Sequence, residues 1–181
     1  MSALTLPGSS SPDAVNRYRR ALLDLLGDQD PRDVLASTPA ACARVLEQLS
    51  PADLTAPEAP GKWSIAEVVH HLADSEVVFS NRLRRTLAEE RPRLAGYDQD
   101  LWASRLGYAE RAVEPSLALF EAARTANLAL LDRASVDDMN RAGMHGERGA
   151  ETVAEMERLY AGHDLAHRRQ MDRIRARLSA R

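Results

Sequence analysis

The sequence predicts an all-α fold, a four-helix bundle. Apolar residues recur at helical spacing over several long segments, and the period-2 alternation of strands is absent throughout. A capping residue followed by proline marks one helix start after another. The helical segments have bundle length, and one long connection could serve as a crossover.

The elements follow in order. Residues 1–10 are small and polar and read as a flexible arm; residues 11–181 read as one bundle domain. Ser11-Pro12-Asp13 opens a helix carrying Val15, Tyr18, Leu22, Leu23 and Leu26, which Gly27 stops. Asp30-Pro31 and Thr38-Pro39 repeat the cap-then-proline signal, and the second is expected to open a helix over 39–49. Residues 50–62, with Pro51, Pro57 and Pro60, read as loop. A long helix is expected over 64–90, stopped by Pro92. Residues 91–114 form the long crossover connection, with one short helix over 98–104. A helix over 114–134 follows, then a short turn capped by Ser135, a loop over 144–150, and a last long helix over 152–178.

Composition narrows the function classes. The chain is 44% hydrophobic and 28% charged, with net charge −3 and a pI near 6.0, which gives no electrostatic reason for a nucleic-acid partner. Apolar runs fall well short of the roughly 20 residues of a membrane helix. With no secretory pattern at the start, the expected location is the cytoplasm. The one cysteine, Cys42, has apolar neighbours and reads as a buried small hydrophobe, which excludes a multi-cysteine zinc site.

The histidines carry the chemistry. On a wheel with Val153 at zero, the apolar stripe of the last helix (Met156, Leu159, Tyr160, Met171, Ile174, Leu178) centres near about 305°. His163 falls at about 280° and His167 at about 320°, both inside that stripe. Burying two imidazoles without partners is costly, and i,i+4 spacing lets both bind one ion. A third ligand is available on the 64–90 helix, where His70 and His71 lie about 100° apart, so only one can face inward. The wheel favours His71, beside Val68, Ser75 and Val78, and leaves His70 at the surface or behind the ligands. Three imidazoles leave coordination positions open, the pattern of a catalytic centre, and suit zinc, nickel, copper or iron.

Residues 61–76, from Gly61-Lys62-Trp63-Ser64 through His70-His71 to Glu76, resemble the first signature of the DinB-like superfamily. Residues 96–103, 145–149 and 160–167 resemble its later signatures in the same order. The resemblance implies a DinB-like four-helix bundle with a divalent metal, zinc or nickel foremost, on three histidines. The matching positions are His71, His163 and His167. It also implies a homodimer, and relatives that are candidate metal-dependent hydrolases or thiol S-transferases using a low-molecular-weight thiol.

Three functions follow as expectations. The first is a metal-dependent enzyme that activates a small thiol for S-transfer to an electrophile, in detoxification or stress. Arg124 and Arg148 are candidate partners for an anionic thiol. The second is a metal-dependent hydrolase of a small substrate, with Asp98, Asp100 or Asp164 as candidate base. His163-Asp164-Leu165-Ala166-His167 resembles the H-E-x-x-H metalloprotease motif but holds aspartate where that motif needs glutamate. The third is a stress-related metal-binding bundle without catalysis. His145, in a glycine-flanked loop, is a candidate to close over the site. Trp63, Trp102, Tyr97 and Tyr160 are candidate anchors or pocket walls.

Overall fold

Helix formation follows the capping chemistry closely. The structure, a computed structural model, describes residues 11–180; the arm expected at 1–10 lies outside the described residues. Ser11 caps α1 (Pro12–Leu26), and Gly27 ends it with a φ of 55° that glycine adopts readily. Asp30 caps α2 (Pro31–Glu47) and Ser50 caps the short α3 (Pro51–Thr55). Reciprocal capping boxes pair Ser64 with Glu67 at the start of α4 (Ile65–Ala88) and Thr152 with Glu155 at the start of α8 (Val153–Leu178). Between them lie α5 (Gln99–Arg105), α6 (Glu114–Arg133) and α7 (Val136–Asn140), the last with its own Ser135–Asp138 box.

The bundle is a ring of four helices. α4 packs on α6 and α8, and α2 packs on the same two, so α2 faces α4 across the diagonal. α1 lies outside the ring, seated chiefly on α8. The seam is close at Gly162, where a Cβ would collide with the backbone carbonyl of Leu22. No helix among the described residues is long and apolar enough to cross a membrane.

The structure corrects three expectations. α2 starts at Pro31, not Pro39, and Pro39 lies inside it. Proline has no N–H to give to the carbonyl four residues earlier; here the Arg124 side chain donates to that Leu35 carbonyl at 2.6 Å. The 50–62 loop contains α3. A small sheet occurs where none was expected: β1 (Arg93–Leu94) pairs parallel with β2 (Ala142–His145), which pairs antiparallel with β3 (Gly149–Thr152). Its strands have at most four residues, too short for alternation to register in the sequence. The hairpin of β2 and β3 runs directly into α8, and β2 packs on α4.

Two apolar clusters form the core. One contains Cys42, Val45, Ile65, Val68, Leu72, Phe120, Met171 and Ile174. The other contains Leu26, Leu35, Phe79, Leu83, Leu131, Met156 and Tyr160. In α4, α6 and α8 buried polar residues fall between the two sets: Ser75 and Glu76, Arg124 and Asn127, and Asp164 and His167. A polar belt therefore divides the core. Cys42 is a free, buried thiol, pushed up to about 12 by burial.

Gly162→Ala is expected to lower stability by about 1–3 kcal/mol, because the added methyl must displace α1. Urea denaturation of the variant against the wild type measures it; an unchanged midpoint would contradict the close seam.

Candidate metal centre

α4 and α8 bring three imidazoles to one point. The Nε2 atoms of His71 and His163 are 3.0 Å apart, and those of His163 and His167 are 3.2 Å apart. One ligand atom from each of the three lies within 4.8 Å of the others. Trp63, just ahead of α4, covers the inner side, its ring centroid 4.9 Å from His71 and 6.4 Å from His167. The Gln170 Oε1 atom lies 3.0 Å from His167 Nδ1, which sets the Nδ1–H tautomer and leaves the Nε2 lone pair facing the other rings.

The donor set fits a cation. Burial lowers all three imidazoles: His163 to about 4, with Arg124 and Arg148 adding repulsion, and His71 and His167 well below their ordinary value. They are therefore neutral, the form that ligates. Three converging lone pairs repel one another, and protons on Nε2 cannot satisfy every contact at once. Among the described residues Nδ1 of His71 and of His163 is buried without a hydrogen-bond partner, so only packing and the crowded Nε2 contacts hold these rings as they stand. A shared cation on the three Nε2 atoms accounts for that crowding.

The remaining candidates are dispersed. Asp164 and Arg124 belong to the belt. Arg124, 2% exposed, donates to Asp164 at 2.7 Å and to Glu76 at 2.8 Å, and its guanidinium carbon lies 4.7 Å from the Phe120 ring centroid. Burial pushes the Asp164 carboxyl up and the adjoining guanidinium pulls it back. Neither residue lines the pocket, so Asp164 is not placed as a base, nor Arg124 as an anion partner there. Asp98 caps α5, accepting from the Leu101 amide, and Asp100 is exposed on its first turn. His70 is not at the surface: it is fully buried, its Nδ1 2.7 Å from Ser116 Oγ and its Nε2 3.3 Å from the Arg111 carbonyl. Trp102 packs on Tyr97 at 4.6 Å.

A pocket of about 110 Å³ opens beside the triad and exposes His71 and His163. Tyr97 and Tyr160 line it, as do Arg148, His145, Ser75 and, from α1, Tyr18 and Arg19. Arg148 is held bidentate by the buried Glu151, both contacts at 2.8 Å. His145 is buried at the end of β2 rather than in a loop, and it faces the pocket without joining the triad.

Sequence reading missed Arg82 and Gln99 in the pocket lining. Arg82 carried a signal: it sits between Phe79 and Leu83 on the apolar stripe of α4, where an arginine must be buried. Gln99, on a two-turn helix, carried none.

Two outcomes follow. Arg124→Met leaves Glu76 and Asp164 buried without their cation and is expected to cost about 3–5 kcal/mol, largely recovered when Glu76→Gln and Asp164→Asn are added. Urea midpoints of the single and triple variants decide it. Acid is expected to weaken the metal-free protein. Between 6.5, the ordinary imidazole value, and about 4, the unfolded chain binds a proton at His163 that the folded chain does not, so stability is lost as pH falls through that window. A His71→Gln, His163→Gln, His167→Gln variant should lose less over the same range.

Comparisons place these features among known proteins. Residues 35–171 match the DinB superfamily. A candidate metal-dependent hydrolase of Oceanobacillus iheyensis is 36% identical over 107 residues, which span 59% of this chain and 62% of that protein. A second, from Bacillus cereus strain 03BB102, is 26% identical over 162 residues, 90% of this chain and 92% of that one. Among solved structures, YfiT from Bacillus subtilis, described as a metal-dependent hydrolase candidate with an unusual four-helix bundle topology, has the same fold. Its TM-score is 0.76 at 24% identity, over 97% of this chain and 93% of that one.

Proposed function

Because the chain belongs to the DinB superfamily, we propose that it is a metal-dependent enzyme that activates a small thiol for transfer to an electrophile. The observation that carries the reading is the convergence of the His71, His163 and His167 Nε2 atoms at the wall of an open pocket. These three residues would hold a divalent ion, zinc or nickel. Bound there, it would supply the Lewis acidity that ionises a coordinated thiol or water near neutral pH.

The chain's own groups favour transfer over hydrolysis. Beyond the ionised water that an ion would supply, hydrolysis gains from a base that carries the proton on to the leaving group, and the buried carboxylates near the pocket are already committed: Glu151 to Arg148, Glu76 and Asp164 to Arg124. The phenols are no substitute, since burial raises Tyr160 and pushes Tyr18 up to about 12. A thiol ionised at the triad needs no such base, because its proton can pass to solvent through the pocket mouth. Trp63 packs on the inner side, and the pocket gives water and reactants access to His71 and His163.

Hydrolysis of a small substrate is the second reading. The naming of the relatives favours it, and so does Glu147, an exposed carboxylate at the pocket rim that could act as base.

Elemental analysis of the purified protein is expected to find about one equivalent of divalent metal. A His163→Ala/His167→Ala variant should keep its helical circular dichroism and lose the metal. Cobalt-loaded wild type should then develop a thiolate-to-cobalt charge-transfer band when a small thiol is added. Absence of metal from the wild type, with no uptake of added zinc or nickel, would end both readings. Metal without the band would overturn transfer and leave hydrolysis, to be checked by loss of activity in Glu147→Gln.

A further inference from the structure

Arg82 is 95% buried by the measure of its 5% exposure, yet no carboxylate among the described residues pairs with it. Its Nη1 donates to the Tyr160 hydroxyl at 3.0 Å and its Nη2 to the Ala95 carbonyl at 2.5 Å. Its Nε has no hydrogen-bond partner among the described residues. Its Nη2 lies 3.3 Å from His145 Nε2.

That last contact lacks an acceptor. The backbone N–H groups of Glu147 and Arg148 donate to His145 Nδ1 at 3.2 and 3.4 Å, so in the neutral ring the proton sits on Nε2. Nε2–H and Nη2–H are then two donors facing each other. Gln99 adds a third group: its Nε2 is buried without a partner, and the side chain lines the same pocket. Gly96 lies alongside, its Cβ position 3.8 Å from His145 Cε1 and 3.9 Å from Glu147 Oε1. A buried cation that no carboxylate contacts, with Glu151 only at longer electrostatic range, and unsatisfied donors around one cavity favour an anion, since an oxyanion accepts hydrogen bonds from such donors and adds the missing contact charge.

We propose that Arg82, His145 and Gln99 form a subsite for the oxyanion, carboxylate or phosphate, of a small substrate whose reactive atom reaches the triad. The placement of the reactive atom rests on the metal-dependent reading above; the subsite itself stands without an ion.

The test uses metal-free full-length protein, titrated with acetate and, separately, inorganic phosphate at constant ionic strength. Resonances of the His145 ring and the Gln99 side-chain amide report binding by nuclear magnetic resonance. Saturable shifts are expected, with at least about tenfold weaker binding in Arg82→Gln, the loss of a charged hydrogen-bond donor, and a smaller loss in Gln99→Ala read at His145. The stronger of the two anions identifies the oxyanion. Shifts that do not saturate in the wild type, or equal affinity in wild type and both variants, would overturn the subsite. Should Arg82→Gln fail to fold, Gln99→Ala, on a short peripheral helix, decides alone. Binding here beside a triad that takes no metal would remove the enzymatic reading and leave the subsite standing.

Discussion

One guanidinium ties the bundle together. Arg124 rises from α6 and bonds to Glu76 on α4, Asp164 on α8 and the Leu35 carbonyl on α2, so all four helices of the ring meet at a single planar cation. Buried ion pairs contribute little net stability, because desolvation offsets their attraction. Their use here is geometric. Asp164 follows His163 and precedes His167 in α8, and fixing its side chain on Arg124 sets how far α8 is rotated. That rotation turns the two imidazoles, about 100° per residue away, toward His71. Asn127 extends the layer, donating to Glu76 and to Ser80 at 2.7 Å.

The same layer separates charge from chemistry. Glu76 and Asp164 share Arg124, Glu151 is bound to Arg148, and the imidazoles are neutral through burial. A cation arriving at the triad meets three neutral donors and no competing anion in contact with it, so its own charge remains available to whatever binds next. The pocket side, by contrast, keeps a surplus of positive groups. The centre is thus neutral and the pocket cationic, and the boundary between them runs along α4, with His71 on one side and Arg82 three turns further on the other.

Much of this was legible in the sequence where periodicity and burial pointed the same way. His163 and His167 fall inside an unbroken apolar stripe 26 residues long, and a long stripe fixes a face with little ambiguity. Capping pairs gave the helix starts nearly to the residue. Reading failed where a tertiary partner overrode a local rule. Pro39 signals a helix start until Arg124 supplies the hydrogen bond proline cannot make. His70 looks solvent-facing on the wheel, because Ala66, Glu67 and Asp74 surround it, but α6 and the segment before it bury it with Ser116 and Arg111. The β-hairpin was hidden by its length. Arg82 runs against the rule that charge sits at the surface: its place between Phe79 and Leu83 on the apolar stripe buries it.

The seam at Gly162 has a consequence for how such a protein diversifies. α1 touches the ring mainly through α8, yet it supplies Tyr18, Arg19 and Leu22 to the pocket wall, while the hairpin supplies His145 and Arg148. The histidines stand on the ring, and the walls that face an incoming molecule stand largely on parts attached to it. Mutation can therefore remodel ligand choice on α1 and the hairpin while the residues that hold the three rings stay untouched. The architecture divides the labour: the ring holds the three imidazoles, and the attached segments shape the wall that meets an incoming molecule.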